Sequence, residues 1–215
     1  MSDPSHSELC EIAVRWLKKS FSAGGHGCQI AFPETRTSFL SGESPDAIGF
    51  RVSSPDYGGG SVVVECKRTR SDFLADVKKP WRERGQGMGR FRYFLCAAGL
   101  IQHDDLPPGW GLLWIDDRAS VQVQVGAALT LRERGSRDLA PFDNPYDAVA
   151  ETLLLANLLH RIGDADKLNA RLRAADGRNS HLTRELERER KKIDQMTGEY
   201  FRLQSEHERM KERVL

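Results

Sequence analysis

Long apolar runs are missing from this chain, and none approaches the roughly 18 to 20 residues that a membrane-spanning helix needs. Cysteine is scarce: Cys10, Cys28, Cys66 and Cys96 are widely spaced, with no Cys-x-x-Cys pair. Each sits in or beside an apolar run, so buried reduced thiols are expected rather than a disulfide frame or a zinc cluster. Net charge is nearly absent too, at +1 over 215 residues, and bulk charge therefore points to no partner. The opening Met1-Ser2-Asp3-Pro4 lacks the basic and apolar regions of a signal peptide. These absences together lead us to expect a soluble cytoplasmic protein with no membrane partner. The length suits one compact domain with an appendage.

What is present is patterned. Leu9, Ile12, Ala13, Trp16 and Leu17 recur at helical spacing after a cap at Ser7 and predict a helix to about Ser20. Strands are predicted at Cys28–Phe32, Asp46–Val52 and Ser61–Lys67, the last two joined by a turn through Ser53–Gly60. Thr35–Ser44 reads as a polar loop. Ser71-Asp72 caps a second helix with an apolar stripe of Phe73, Leu74, Val77 and Trp81. Further strands follow at Phe91–Ala97, Gly111–Ile115 and Val121–Val125. Helix, three strands, helix, then more strands describes a mixed α/β sheet flanked by helices.

The last third differs in kind. Asp143-Asn144-Pro145 caps a helix from about Tyr146 to Arg161. Beyond Gly163 a heptad register runs through Ala165, Leu172, Asn179, Leu186, Ile193, Tyr200, His207 and Val214 at position a. Position d holds Leu168, Ala175, Leu182, Glu189, Met196, Leu203 and Met210. This seam predicts an α-helical coiled coil, and Asn179 at an a position suits a parallel homodimer. Three parts result: a sheet domain over 1–142, a connecting helix over 143–163 and a coil over 164–215.

Chemistry concentrates in Val62-Val63-Val64-Glu65-Cys66-Lys67 and in Pro45-Asp46 upstream. Side chains alternate along a strand, so Glu65 and Lys67 share one face and Cys66 takes the other. A turn centred near Asp56 and Tyr57 pairs position 46 with position 67 and leaves 65 a near neighbour. A slip of one residue in that register would send Asp46 to the opposite face. Two carboxylates held together suit a hard cation, Mg²⁺ or Mn²⁺, bound by Asp46, Glu65 and the Cys66 carbonyl. Such an ion polarises a phosphodiester and acidifies a bound water, with Lys67 placed to orient that water or to stabilise developing charge. Glu11 on the first helix and Glu34 after the first strand compete for the role of an extra ligating carboxylate, surface charge being their ordinary alternative. His26 and His103 read as ordinary polar loop residues.

Pro-Asp on one strand and Glu-x-Lys on the next is the motif of the PD-(D/E)XK nuclease superfamily, which this chain resembles. The flanking segments Val64–Asp76, Trp81, Arg90–Phe94 and Gly111–Asp116 resemble the MmcB-type DNA repair family over roughly Ile12 to Val125. That resemblance implies a restriction-endonuclease-like sheet and Mg²⁺-dependent hydrolysis of DNA, with Asp46, Glu65 and Lys67 as the catalytic set. Between Lys67 and Arg92 stand nine basic residues against three acidic ones. Beside Lys67 itself these are Arg68, Arg70, Lys78, Lys79, Arg82, Arg84, Arg90 and Arg92, a patch suited to a phosphate backbone. DNA is the expected partner, and RNA fits the same chemistry. The competing expectation is a catalytically silent nucleic-acid-binding module whose coil recruits a partner. A third is a coil that carries the function, with the sheet domain as a docking platform.

Overall fold

A computed structural model describes residues 4–33, 44–78, 87–132, 138–163 and 165–212. Glu34, Lys79, Trp81, Arg82, Arg84 and most of the polar loop 35–44 lie outside the described residues. The fold is α/β, built on one six-stranded mixed sheet whose spatial order follows the chain. Strands β1 (Ile30–Pro33), β2 (Ala47–Arg51) and β3 (Gly60–Cys66) form an antiparallel meander. Strands β4 (Phe91–Ala97) and β5 (Trp110–Ile115) continue in parallel, and β6 (Val121–Val125) returns antiparallel at the edge. Five α-helices occur among the described residues: α1 (His6–Lys18), α2 (Arg70–Val77), α3 (Ala127–Arg132), α4 (Ala148–Ile162) and α5 (Ala165–Glu212).

Helix α1 begins two residues earlier than a cap at Ser7 would place it. Ser5 is the cap: its hydroxyl accepts from the Glu8 N–H, and its own N–H donates to Glu8 Oε2 at 2.7 Å. The apolar stripe then buries Leu9, Ile12, Ala13, Trp16 and Leu17 with Val62, Val64, Cys66, Tyr93 and Leu113 of the sheet. The opposite face collects Phe73 of α2 with Phe94, Cys96, Trp110 and Leu112. Phe94 stacks on Trp110 at 4.3 Å between ring centroids, and Phe73 meets Phe94 edge-on at 5.0 Å. A buried phenylalanine contributes roughly 2 to 3 kcal/mol, so Phe73 is the pin that fixes α2. Thr69, rather than Ser71-Asp72, caps that helix by accepting from the Asp72 N–H.

The β2–β3 pairing differs from the expected register. Ala47 lies opposite Val64 and Ile48 opposite Val63, so the series leads position 46 towards 65 instead of 67. The turn through Pro55–Tyr57 closes one residue earlier than expected, with Gly58 at φ +74° completing it. Moving a turn centre by one residue shifts the pairing by two, and a shift of two preserves the face of every side chain.

His26 corrects another expectation, because it is no loop-surface residue. It is fully buried among Trp16, Phe21, Phe91 and Tyr93, with ring centroids 5.2 to 6.4 Å away. Neither ring nitrogen has a hydrogen-bond partner among the described residues. Gly27, at φ +72°, gives the chain the left-handed turn that follows it. Burial pushes the imidazole down to about 3, with the Arg51 charge adding to it. Between its ordinary value of 6.5 and that value, the unfolded chain takes up a proton that the folded one refuses. Stability is therefore present above that window and falls as pH is lowered through it. Replacing His26 with Phe removes this dependence. Urea titrations at pH 7.5 and pH 5 should show the wild type losing about 2 kcal/mol more than His26→Phe over that interval. Equal losses would contradict the assignment. His103, by contrast, is exposed in a 3₁₀ turn.

The chain divides into two units, Met1–Asn157 and Leu158–Leu215. The helix expected over 143–163 begins at Ala148, and Ala150, Glu151 and Leu154 of its first two turns are buried in the sheet unit. In the second unit α5 is a 48-residue helix that runs unbroken past Gly177 and Gly198. Leu168, Leu172, Leu182, Leu186, Ile193, Met196, Tyr200 and Leu203 of its heptad seam are exposed in the single chain. No helix among the described residues is long and apolar enough to cross a membrane.

Candidate metal centre and phosphate-facing site

The alternation read from Val62 to Lys67 holds in three dimensions. Cys66 packs into the α1-side core, while the Lys67 ammonium lies 6.0 Å from the centroid of the Phe94 ring on the α2 side. The Lys67 N–H donates to the Leu95 carbonyl at 2.8 Å, carrying the β3–β4 ladder one residue past the strand. Its Nζ then sits 3.5 Å from Glu65 Oε2 and 3.5 Å from Asp76 Oδ1. All three groups are buried, with side-chain exposures of 5, 5 and 1% for Lys67, Glu65 and Asp76. Burial works against the Lys67 charge, but Glu65, Asp76, Asp46 and Asp72 outweigh it and hold the ammonium above the ordinary lysine value. The neighbouring carboxylates therefore favour the charged form of Lys67.

Asp46 sits one residue before β2, at the end of the sheet. Its Oδ2 accepts from the Cys66 N–H at 2.7 Å, and its Oδ1 lies 3.2 Å from His6 Nε2. Its carboxyl is pushed well above the ordinary aspartate range, first by burial and then by the Glu65 charge. The Cys66 N–H, Lys67 and His6 pull the other way and do not cancel the effect. A partly buried Asp46 carboxylate beside the buried Glu65 side chain offers a cation a set of oxygen donors. Hard oxygens of this kind fit Mg²⁺ or Mn²⁺, so the residues present suit the ion expected there.

The other expected residues separate into groups. Glu11 is exposed on α1, on a different face from the buried Cys10, and does not join the cluster. Arg92 is buried and donates to the carbonyls of Gly87, Met88, Gly89 and Pro145, so it braces the chain ahead of β4 instead of facing a ligand. Arg90 is engaged by the Asp143 carboxylate and by the carbonyls of Pro55 and Gly59. Both arginines leave the phosphate patch because the protein itself fills their donors, Arg92 buried and Arg90 half-buried. Arg70 is exposed, in a two-pronged pair with Asp105. Arg68 and Lys78 are exposed. The chain at Lys67, Arg68 and Thr69 also lines a small open pocket with Pro4, Leu9, Ala97 and Ile115.

Three residues of the cluster escaped the sequence reading. In the sequence Asp76 is one negative charge within a basic run, yet it lies three residues after Phe73 and shares its inward face. His6 and Cys10 stand four apart on α1, a spacing visible in the sequence, but only tertiary packing brings them to Asp46.

No protein-family model and no curated protein matches the sequence. The fold is similar to a solved structure described as a protein of unknown function from Silicibacter pomeroyi. The two are 19% identical, with 80% of this chain and 92% of that one covered at a TM-score of 0.45.

Proposed function

We propose that the sheet domain is a Mg²⁺-dependent nuclease that hydrolyses DNA phosphodiester bonds in DNA repair or processing. The carrying observation is the convergence of Asp46, Glu65 and a buried, carboxylate-paired Lys67 where β2 begins and β3 ends. The mixed sheet with helices on both faces is the architecture that the PD-(D/E)XK resemblance implies. A bound Mg²⁺ would supply Lewis-acid activation of the phosphodiester and of a water. Asp46, Glu65 and the Cys66 carbonyl would hold it, the Cys66 N–H fixing the aspartate. Lys67 contributes charge: it stabilises the extra negative charge of the transition state. Arg68, Lys78 and the exposed edge of Arg70 face a phosphate backbone beside it. The test is cleavage of circular or branched DNA by the purified chain in Mg²⁺, against chelator controls.

One observation favours a second reading. Lys67 is already paired with both Glu65 and Asp76, as in a neutralised structural cluster. In that reading the domain binds nucleic acid without turnover, and salt-sensitive DNA binding with no product across several metals would identify it.

The exposed heptad seam of α5 is assigned to a second copy of this chain, with Asn179 at its a position setting the register. Sedimentation should give a dimer for the full chain and a monomer after truncation at Gly163. A monomeric full-length chain at micromolar concentration would contradict this assignment.

A further inference from the structure

The acidic cluster has a second side, facing α1, with a different donor chemistry. His6 and Cys10 stand one helical turn apart and share a face of α1. Their ligand atoms, His6 Nε2 and Cys10 Sγ, lie with an Asp46 carboxylate oxygen within 4.8 Å of one another. One of these separations, His6 Nε2 to Asp46 Oδ1, is 3.2 Å. Donors around one tetrahedral zinc, with bonds of about 2.0 to 2.3 Å, stand roughly 3.3 to 3.7 Å apart, so modest side-chain shifts would close the set.

Each donor is also held. The Ser5–Glu8 capping box fixes the start of α1 and with it His6. The Cys66 N–H occupies Asp46 Oδ2 and so directs Oδ1 towards His6. Behind Cys10, Cys66 is buried in the same α1-side core.

We propose that His6, Cys10 and Asp46 bind one transition-metal ion of the zinc class, with the fourth position open to water. The open position follows from exposure: the His6 side chain is 43% exposed, so water reaches the set beside it. One imidazole nitrogen, one thiolate sulfur and one carboxylate oxygen select zinc or cobalt over magnesium. The ion also offsets the cost of the buried Asp46 charge, since one thiolate and one carboxylate neutralise a dication. This site shares Asp46 with the proposed nuclease centre but uses neither Glu65 nor Lys67, so it stands without that reading.

The experiment is a Co²⁺ titration of the chelator-treated, full-length protein, followed by absorption. The wild type should bind one Co²⁺ per chain, with a thiolate-to-cobalt charge-transfer band and the strong visible bands of four-coordinate cobalt, all displaced by Zn²⁺. Cys10→Ser should lose the charge-transfer band. His6→Ala, at a half-exposed position that leaves the core intact, should weaken binding at least about 100-fold, the upper cost of losing a mere outer-shell partner. Glu65→Gln should keep both the band and the affinity while losing Mg²⁺-dependent cleavage, which separates this site from the nuclease centre. A wild type without the band, a band that survives Cys10→Ser, or one lost in Glu65→Gln would overturn the proposal. Absence of DNA cleavage with the cobalt spectrum intact would remove the nuclease reading alone.

Discussion

Asp46→Asn should yield a folded protein that withstands heat better than the wild type at pH 8 and no longer cleaves DNA. The two effects have one cause. Asp46 is held partly buried beside Glu65, and its ionised form is disfavoured by both. Because the folded value is raised above the ordinary 3.8, the favourable contribution of the neutral carboxyl is complete below that value and is lost as pH rises through the folded one. At pH 8 the charge is present and unrelieved. Asparagine keeps an oxygen for the Cys66 N–H while deleting the charge, and gains of about 1 kcal/mol are usual when a functional site's strained charge is removed. In a chain of this size that is a rise of about 2 to 4 °C in the midpoint. The advantage should shrink towards pH 4, where the wild-type carboxyl is protonated. Loss of a metal-binding carboxylate should lower cleavage at least about 1000-fold, some 4 kcal/mol of transition-state stabilisation. Thermal scans at pH 4 and 8, run beside a DNA-nicking assay, read both effects. An Asn variant that melts below the wild type at pH 8 would show that the charge is relieved inside the protein.

Lys67→Ala should be the most damaging single substitution in the sheet domain. Its ammonium stands between Glu65 and Asp76, both nearly sealed from water. Taking out one partner of a buried ion cluster strands the remaining charge, and such changes cost about 3 to 5 kcal/mol. Stability of single domains is itself about 5 to 15 kcal/mol, so the variant should be marginal in urea. Lys67→Met combined with Asp76→Asn should recover part of the loss, because one of the stranded carboxylates is gone and the volume is kept. This double variant separates folding from chemistry: it should fold and still show cleavage reduced at least about 100-fold, the cost of removing one donor of transition-state charge. If Lys67→Ala unfolds at the wild-type urea concentration, the cluster is more solvated than its geometry indicates.

The parts of this molecule that repeat with a simple period were legible in the sequence. Val121–Val125 alternates strictly and is β6 to the residue, and Phe91–Ala97, rich in aromatics, is β4. The shared face of Glu65 and Lys67 follows from the same period of two. The register of Asp46 was legible only in parity, since the sequence marks a turn but not the residue on which it closes. Arg90 and Arg92 looked like surface charge because composition cannot tell a solvated guanidinium from one wrapped in backbone carbonyls. His26 was illegible for a related reason: Phe91 and Tyr93, which close over it together with the nearby Trp16 and Phe21, come from β4, far along the chain. His6, Cys10 and Asp76 joined the site through helix packing on two faces of the sheet, which no local pattern specifies.

The central claim is that Asp46, Glu65 and Lys67 hydrolyse DNA with a divalent metal. The most direct measurement incubates supercoiled circular DNA with purified wild type and with Glu65→Gln, in Mg²⁺ and in chelator. The expected result is nicked or linear product from the wild type in Mg²⁺ alone and none from Glu65→Gln. Product from Glu65→Gln at the wild-type rate, or none from the wild type in either Mg²⁺ or Mn²⁺, would contradict it.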